Sequence, residues 1–591
     1  MRAENSTKPS PWVVLLAMLA LFLPLAACAP SSGPAGAAPD ATLQPAAPSG
    51  NDPAAADIRP NILLIVADDL GYSDLGAYGS EIRTPHLDRL AAGGTMLTNF
   101  LAAPTCSTTR SMLLSGVDNH RNGLGGLDES GRPLQNAGAG YEGYLNFDVA
   151  SVAELVGQAG YRTYMAGKWH LGGRDGTRPE SRGFERSFIL VGGAAAHFGN
   201  RGATSPAPIA AYREDGRTVS VPDDFFSSTF YTDRLIDYID ADRNDGRPFF
   251  AYAAYTAPHW PLQAPQKYID GYDGVYDQGY EAIAAARIKR MVRLGLIDAG
   301  QARALSAGPM ARSWNSLDAD TKAREAKRMQ VYAAMVESLD AEIGRLLAHL
   351  ESTGELDNTV ILFLSDNGPE GNDPYQIAQN ESWVPTAFRT DTASMGSPDS
   401  FVTYGPGWAQ VSALPFRLFK AFPAEGGIRV PAIFSTPSDR RTGAARSGSF
   451  ASVLDIVPTI LQLARTPYPA TSASGKALPA LAGRPLLSAD RSRIQLPGGR
   501  DRPMGWELFG RRAIRDGDWK LLWVEPPYGE GRWTLHNIER DPAERTDLSM
   551  REPERFKAML ALWDEYVREN GVVDADYSDL QYGKVNRHYD H

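Results

Sequence analysis

The chain has 591 residues, with 59 Lys and Arg against 70 Asp and Glu and a formal net charge of −11. That acidic balance lacks the basic footprint of a bulk nucleic-acid binder, and 43% hydrophobic with 22% charged residues excludes a disordered chain. No apolar run of roughly 18 or more residues occurs, which leaves no spanning helix, and the length allows roughly two to four domains.

The N-terminus reads as an export leader. Arg2 and Lys8 precede an apolar run from Trp12 to Ala27, too short to span a bilayer and right for a signal segment. It closes on Leu25-Ala26-Ala27-Cys28, which resembles the bacterial lipobox, whose Cys is diacylated and becomes the mature N-terminus. An ordinary signal peptide cleaved near Ala27 is the other reading. Residues 29–57 are rich in Ala, Pro, Ser and Gly and read as a disordered tether. The expectation is an exported protein, on the periplasmic side or a cell-envelope lipoprotein, that meets the membrane only through a lipid at Cys28. Cys106 would then have no partner within the chain.

Asn61 to Ala67 is a continuous apolar run between Pro60 and Asp68-Asp69, the pattern of a strand buried on both faces. Phe249 to Tyr255, Val360 to Leu364 and Val430 to Phe434 repeat it. Val152 to Ala159 reads as a helix stopped by Gly160. Val331, Met335, Leu339, Ile343 and Leu347 recur on one helical face before Gly354, and Leu454 to Leu463 is a further covering helix. Helix, glycine, then buried strand is the wiring of an α/β domain, assigned to residues 58–490. Gly368 to Leu414 is weakly periodic and reads as a long loop. From 491 to 591 the texture changes: Trp519 to Val524 and Trp533 to His536 suggest hairpin strands, and Phe556 to Val567 a closing helix. This is a smaller α+β subdomain with an antiparallel sheet.

Two acidic clusters follow buried strands, Asp68-Asp69 and Asp366-Asn367-Gly368. In open α/β sheets, ligands bind beyond the carboxyl ends of the strands. Oxygen donors with no neighbouring His or Cys favour a hard cation over zinc. Successive residues on a strand face opposite ways, so Asp68 and Asp69 share an ion only if the strand has already turned.

The segment Cys106-Ser107-Thr108-Thr109-Arg110 with the following Ser111-Met112-Leu113-Leu114-Ser115-Gly116 resembles the sulfatase signature. Further segments follow in the family's order: Ala166-Gly167-Lys168-Trp169-His170-Leu171-Gly172, Ala257-Pro258-His259-Trp260-Pro261, Ser365-Asp366-Asn367-Gly368, and Lys420 ahead of Glu425-Gly426-Gly427-Ile428-Arg429. Gly505 to Gly510 and Trp533 to Leu548 resemble the C-terminal subdomain of bacterial arylsulfatases. The likeness runs from Arg59 to about Val573. One position departs from it: two residues after the Cys, where Pro or Ala is usual and the maturation enzyme reads the chain, stands Thr108.

The resemblance implies an alkaline-phosphatase-like fold, a large mixed and mostly parallel sheet sandwiched by helices. It also implies a formylglycine-dependent sulfatase, with Cys106 oxidised by a formylglycine-generating enzyme. Asp68, Asp69, Asp366, Asn367 and the modified Cys106 would hold one Ca²⁺, with Mg²⁺ as the alternative. Arg110, Lys168, His170, His259, Asp366 and Lys420 would be the other catalytic groups. The implied substrate is an aryl or alkyl sulfate ester, small or carried on a glycan. Phosphonate monoester or phosphodiester hydrolysis in the same superfamily is the alternative. A surface lipoprotein that binds sulfate esters without turnover is the third reading, should Cys106 stay unmodified. Trp260, Tyr404 and Trp408 are candidate walls for an aromatic leaving group.

Overall fold

A computed structural model describes residues 59–126, 138–204, 207–301, 311–376, 380–443, 445–472, 475–496 and 502–575. The lipobox at Cys28 and the tether of residues 29–57 lie outside the described residues. In chain order the main sheet comprises β1 (Asn61–Ala67), β2 (Thr95–Leu97), β3 (Arg162–Lys168), β4 (Arg186–Leu190), β5 (Tyr212–Glu214), β6 (Arg217–Val219), β7 (Phe249–Ala254), β8 (Thr359–Ser365), β9 (Ala432–Ser435) and β10 (Ala445–Ser447). Their spatial order is β10-β2-β9-β8-β1-β7-β3-β4-β5-β6.

β1 lies at the centre because all seven of its residues are buried, and an apolar strand of that kind needs cover on both faces. It runs parallel to β7 on one side and β8 on the other, with Val66 opposite Ala254 and Ala67 opposite Ser365. β3 and β4 extend the parallel set. β9 is antiparallel to β8, so the sheet is mixed but mostly parallel, as the resemblance implied. β9 begins two residues later than Val430 because Val430 donates its N–H to Phe100 O instead.

The covering helices follow the expected periodicity. Ser151 and Glu154 form a capping box at the start of Val152–Gln158. The helix read from Val331 to Leu347 is longer, Ala319–Ser352, because Asp318 caps it by accepting from Thr321 N at 2.7 Å. Gly368 to Leu414 is not a structureless loop: it contains the helices Asn380–Ala387 and Gly405–Ser412. The polar, glycine-rich composition concealed their short apolar faces.

A separate antiparallel sheet, β11 (Met504–Leu508), β12 (Arg511–Asp516), β13 (Trp519–Trp523) and β14 (Thr534–Asn537), is closed by the helix Pro553–Asn570. Met559, Trp563 and Tyr566 of that helix pack on Ile514, Leu521 and Leu535. The seam to the main domain is buried, with Met504, Trp506, Leu522 and Val524 joining the main hydrophobic core and polar contacts crossing beside them. Trp506 Nε1 donates to Ala102 O at 2.9 Å, and Lys520 lies between Glu425 at 2.9 Å and Glu544 at 2.8 Å. His120 Nδ1 meets Asp118 at 2.9 Å, and its Nε2 is 3.5 Å from Glu507. Tyr566 donates to Asp118 at 3.0 Å.

Burial pulls His120 down, but the hydrogen bonds and charges of Asp118 and Glu507 outweigh it and raise its pKa to about 9 from 6.5. The stability it contributes is therefore complete below pH 6.5 and is lost as pH rises through about 9. The full shift corresponds to about 3 kcal/mol. Unfolding free energies of the wild type and His120→Gln, from urea titrations, should converge by an amount of that order between pH 6 and pH 10; a constant gap would contradict the assignment.

Candidate active site

The site is built where β1, β3, β7 and β8 end side by side. β1 stops at Ala67, Asp68 N donates to Ala257 O at 3.1 Å, and Asp69 takes a left-handed conformation with φ 69°. Asp tolerates that region better than most residues. The turn breaks strand alternation and brings both carboxylates to the same side, facing Cys106 Sγ, the condition set by the sequence. After β8, Asp366 N donates to Ala67 O at 3.1 Å, while Asp366 Oδ1 accepts from Asp69 N at 3.2 Å. Asn367 Nδ2 donates to Asp69 Oδ1 at 2.7 Å.

Three cations from three separate elements meet these acids. Lys168 is the last residue of β3, with Nζ 2.7 Å from Asp68 Oδ2. Gly167 before it, at φ 121°, passes so close to β7 that a Cβ would lie 1.8 Å from Ala254 O. Arg110 Nε donates to Asp366 Oδ2 at 2.9 Å and Nη1 to Lys168 O at 3.2 Å, with Nη2 3.5 Å from Asp68. Lys420 Nζ is 2.9 Å from Asp69 and 3.2 Å from Glu370. The loop that carries Lys420 is pressed onto Gly368: Lys420 N donates to Pro369 O at 3.0 Å, Gly368 N to Gly427 O at 2.9 Å.

Cys106 opens the helix Cys106–Ser115, whose ten residues are all buried. Its Sγ donates to Asp68 Oδ1 at 3.3 Å and is 3.8 Å from Asp69 Oδ1. Arg110 lies four residues on, on the same helical face. Thr109 clamps the preceding loop through Ala103 N at 2.8 Å. Thr108 Oγ1 donates to Thr105 O at 2.8 Å, so its hydroxyl is used within the helix's first turn. His259 Nδ1 donates to Trp260 O at 2.7 Å, which turns Nε2 toward Asp69 at 3.6 Å. His170, at φ 54°, is partly exposed, and its ring lies against Gly193. The other nine positions singled out from the sequence are buried and form one connected cluster.

Electrostatics inside the cluster is strained. Burial raises the Asp68 carboxyl, but the Lys168, Arg110 and Lys420 charges together hold it well below the usual range. Asp69 is pushed up by burial and by the neighbouring Asp68, Glu370 and Asp366, against the pull of Lys420. Asp366 is raised by burial and by Asp68. Burial and Asp68 keep the Cys106 thiol protonated, and burial with the Lys420 and Lys168 charges keeps His259 neutral.

The residues fit a divalent cation. Crowded acids of this kind are stabilised by positive charge, and Asn367 Oδ1 is buried without a hydrogen-bond partner. Asp68, Asp69, Cys106 and His259 each bring one donor atom within 4.8 Å of the others. The sequence spacing had left sulfur and imidazole remote from the acids; the tertiary fold brings both in.

Two aromatic expectations are corrected. Trp408 is fully buried, packs on Tyr280 and Trp314, and donates Nε1 to Glu325 O at 2.8 Å. Tyr404 stacks on Tyr332 at 4.2 Å. Both are core. Trp260 alone of the three adjoins the site, with its ring 4.6 Å from that of His259. Sequence reading missed Glu370; its position two residues beyond Gly368 was the available signal.

A mostly parallel sheet thus carries buried acids and cations at its carboxyl edge, with a small antiparallel sheet behind them. Residues 60–466 match the Sulfatase family model. The chain is 41% identical to an uncharacterized sulfatase of Schizosaccharomyces pombe over 88% of this chain and 95% of the relative. It is 38% identical to the arylsulfatase of Klebsiella aerogenes over 70% of this chain and 89% of that one. Ps i-CgsB, solved with k-i-k-neocarrahexaose, superposes with a TM-score of 0.61 at 25% identity, covering 87% of this chain and 94% of its own. The protein belongs to the sulfatase family.

The contact between the two loops gives a structural test. A Cβ on Gly368 would lie 1.9 Å from Gly426 O, whereas one on Gly448 meets only Thr98 Oγ1, at 3.8 Å. Gly368→Ala should lower the thermal midpoint by the equivalent of about 1–3 kcal/mol and displace Lys420, with a loss of turnover. Gly448→Ala should leave both unchanged.

Proposed function

We propose that this sulfatase hydrolyses aryl or alkyl sulfate esters, releasing the alcohol and inorganic sulfate at the Cys106 cavity. The observation that carries this reading is the setting of Cys106: a buried thiol at a helix start, 3.3 Å from Asp68, with Lys168 and Lys420 on the carboxylates beside it. The likeness to the Klebsiella aerogenes arylsulfatase supports an aryl ester.

Oxidation of Cys106 to formylglycine supplies a hydrated aldehyde, with one hydroxyl to attack sulfur and a second to release sulfate afterwards. Asp68, Asp69, Asp366, Asn367 and the modified Cys106 would hold one divalent cation, Ca²⁺ with Mg²⁺ as the alternative, which would supply positive charge to the bound sulfate. The protein's own groups do the rest. Arg110 ties the helix to Asp366 and to the end of β3, which holds position 106 against the acids. Lys168 and Lys420 present fixed ammonium groups to the charge that develops on the sulfate. Asp366 takes the proton of the attacking hydroxyl. His259, with Lys420 as the alternative, supplies the proton of the departing oxygen, the imidazole taking that proton up at Nε2 only once the sulfate anion lies beside it. His170 accepts a proton as sulfate leaves.

Charge balance supports a singly charged substrate. Asp68, Asp69, Asp366 and Glu370 face Arg110, Lys168 and Lys420. One divalent cation leaves a single net positive charge, which a sulfate monoester neutralises and a phosphate monoester dianion overshoots. Phosphodiesters and phosphonate monoesters are also monoanions, which keeps that hydrolase as the second reading.

Mass spectrometry of the tryptic peptide Leu90 to Arg110, from protein made in its native host, should show aldehyde in place of thiol at Cys106, and Cys106→Ala should lose turnover of 4-nitrophenyl sulfate. Intact thiol throughout, or full activity in the variant, would sink the mechanism. His259→Ala should slow alkyl sulfates by about 10²–10⁴-fold, the range for general acid catalysis, and 4-nitrophenyl sulfate much less, because a good leaving group needs no proton. Equal losses on both would remove His259 from that step.

A further inference from the structure

Glu370 stands apart from the acids at the strand ends. It is 3% exposed and sits on the loop after β8. Its Oε2 is 3.2 Å from Lys420 Nζ. Its Oε1 accepts from Asn372 N at 2.8 Å and from Asn372 Nδ2 at 2.7 Å, and the same Nδ2 donates to Lys420 O at 2.9 Å. The carboxylate is thus fixed from both sides, one ammonium away from Asp69, and is felt there as a repelling charge.

A fixed negative charge beside an anion site acts on each ligand in proportion to the ligand's own charge. It opposes a dianion twice as strongly as a monoanion of the same shape. Without Glu370, three acids would face three cations, and a divalent cation would leave two positive charges, a match for a phosphate monoester. With Glu370, only one remains.

We infer that Glu370 is a specificity-determining residue, whose buried carboxylate beside Lys420 makes the site select singly charged tetrahedral esters over doubly charged ones. This rests on the reading of the cavity as a sulfate-ester site. Lys420 is the group through which the selection is felt most directly, because it is shared between Asp69 and Glu370. A dianion would have to draw Lys420 toward itself and away from the buried Glu370 carboxylate, which is costly.

Calorimetry in Ca²⁺-containing buffer at about pH 8 tests this on Cys106→Ala protein, which turns over neither ligand. The probes are 4-nitrophenyl sulfate, a monoanion, and 4-nitrophenyl phosphate, a dianion at that pH. Adding Glu370→Gln should move the ratio of the two dissociation constants about tenfold or more toward the phosphate. Glu370→Ala should do the same, and Glu370→Asp should keep the parent preference. Both ligands are titrated into the same preparation, so any unfolded fraction cancels from the ratio. A ratio that stays put while both affinities rise or fall together would mean a purely structural role and overturn the inference. No measurable binding of either anion to the Cys106→Ala parent would overturn it as well. A shifted ratio in protein whose intact Cys106 form shows no sulfatase turnover would leave the inference standing and remove the proposed reaction alone.

Discussion

Carboxylates buried side by side cannot remain ionised without opposing charge, because burial and mutual repulsion both favour the neutral acid. That constraint organises this protein. Asp68, Asp69 and Asp366 are each at most 1% exposed and lie together at the carboxyl ends of the central strands. The opposing charges come from a helix at Arg110, a strand end at Lys168 and a loop at Lys420. None of these is adjacent to the acids in the chain, so the site exists only when the central sheet, the Cys106 helix and the Lys420 loop are docked in register.

The same requirement explains the second sheet. The loop bearing Lys420 runs on into Glu425, a buried acid pinned by Lys520 at 2.9 Å and followed by Arg429. Lys520 also meets Glu544 at 2.8 Å, and Glu544 Oε2 accepts from Glu425 N at 2.9 Å. Removing one partner from such a buried set leaves an uncompensated charge, which costs more than the pair contributes. Arg511 Nη1 donates to Ala421 O at 2.8 Å, one residue past Lys420. The small sheet therefore acts as the back wall of the active-site loop, and its distance in sequence from Cys106 says little about its distance from the chemistry.

Much of this was legible before any coordinates. The apolar runs that became β1, β7 and β8 are buried on both faces, so continuous hydrophobicity identified them without ambiguity. The segment 368–414 was less readable, because its helices Asn380–Ala387 and Gly405–Ser412 are short and set among Gly, Pro and Asn. Trp408 and Tyr404 show a second limit. An aromatic residue in a polar stretch looks like a ligand wall, yet Trp408 is a core side chain whose one polar atom is satisfied by Glu325 O. Glu370 shows a third, since it lies just past a recognised motif and its role depends on which ammonium the fold brings to it.

The order and identity of the polar residues, from Asp68 to Lys420, determined which groups this protein has available, because each chemistry demands particular side chains. Periodicity likewise determined the sheet-and-helix class, because burial of a strand or a helix face follows from local pattern. Tertiary structure alone decided three further things: that Asp69 turns at φ 69° and so comes to the same side as Asp68, that Cys106 and His259 each bring a donor atom within 4.8 Å of the acids, and that Lys420 is divided between Asp69 and Glu370. These are distances between residues far apart in the chain, and Coulomb energies and hydrogen bonds depend on distance in space, which no local pattern encodes.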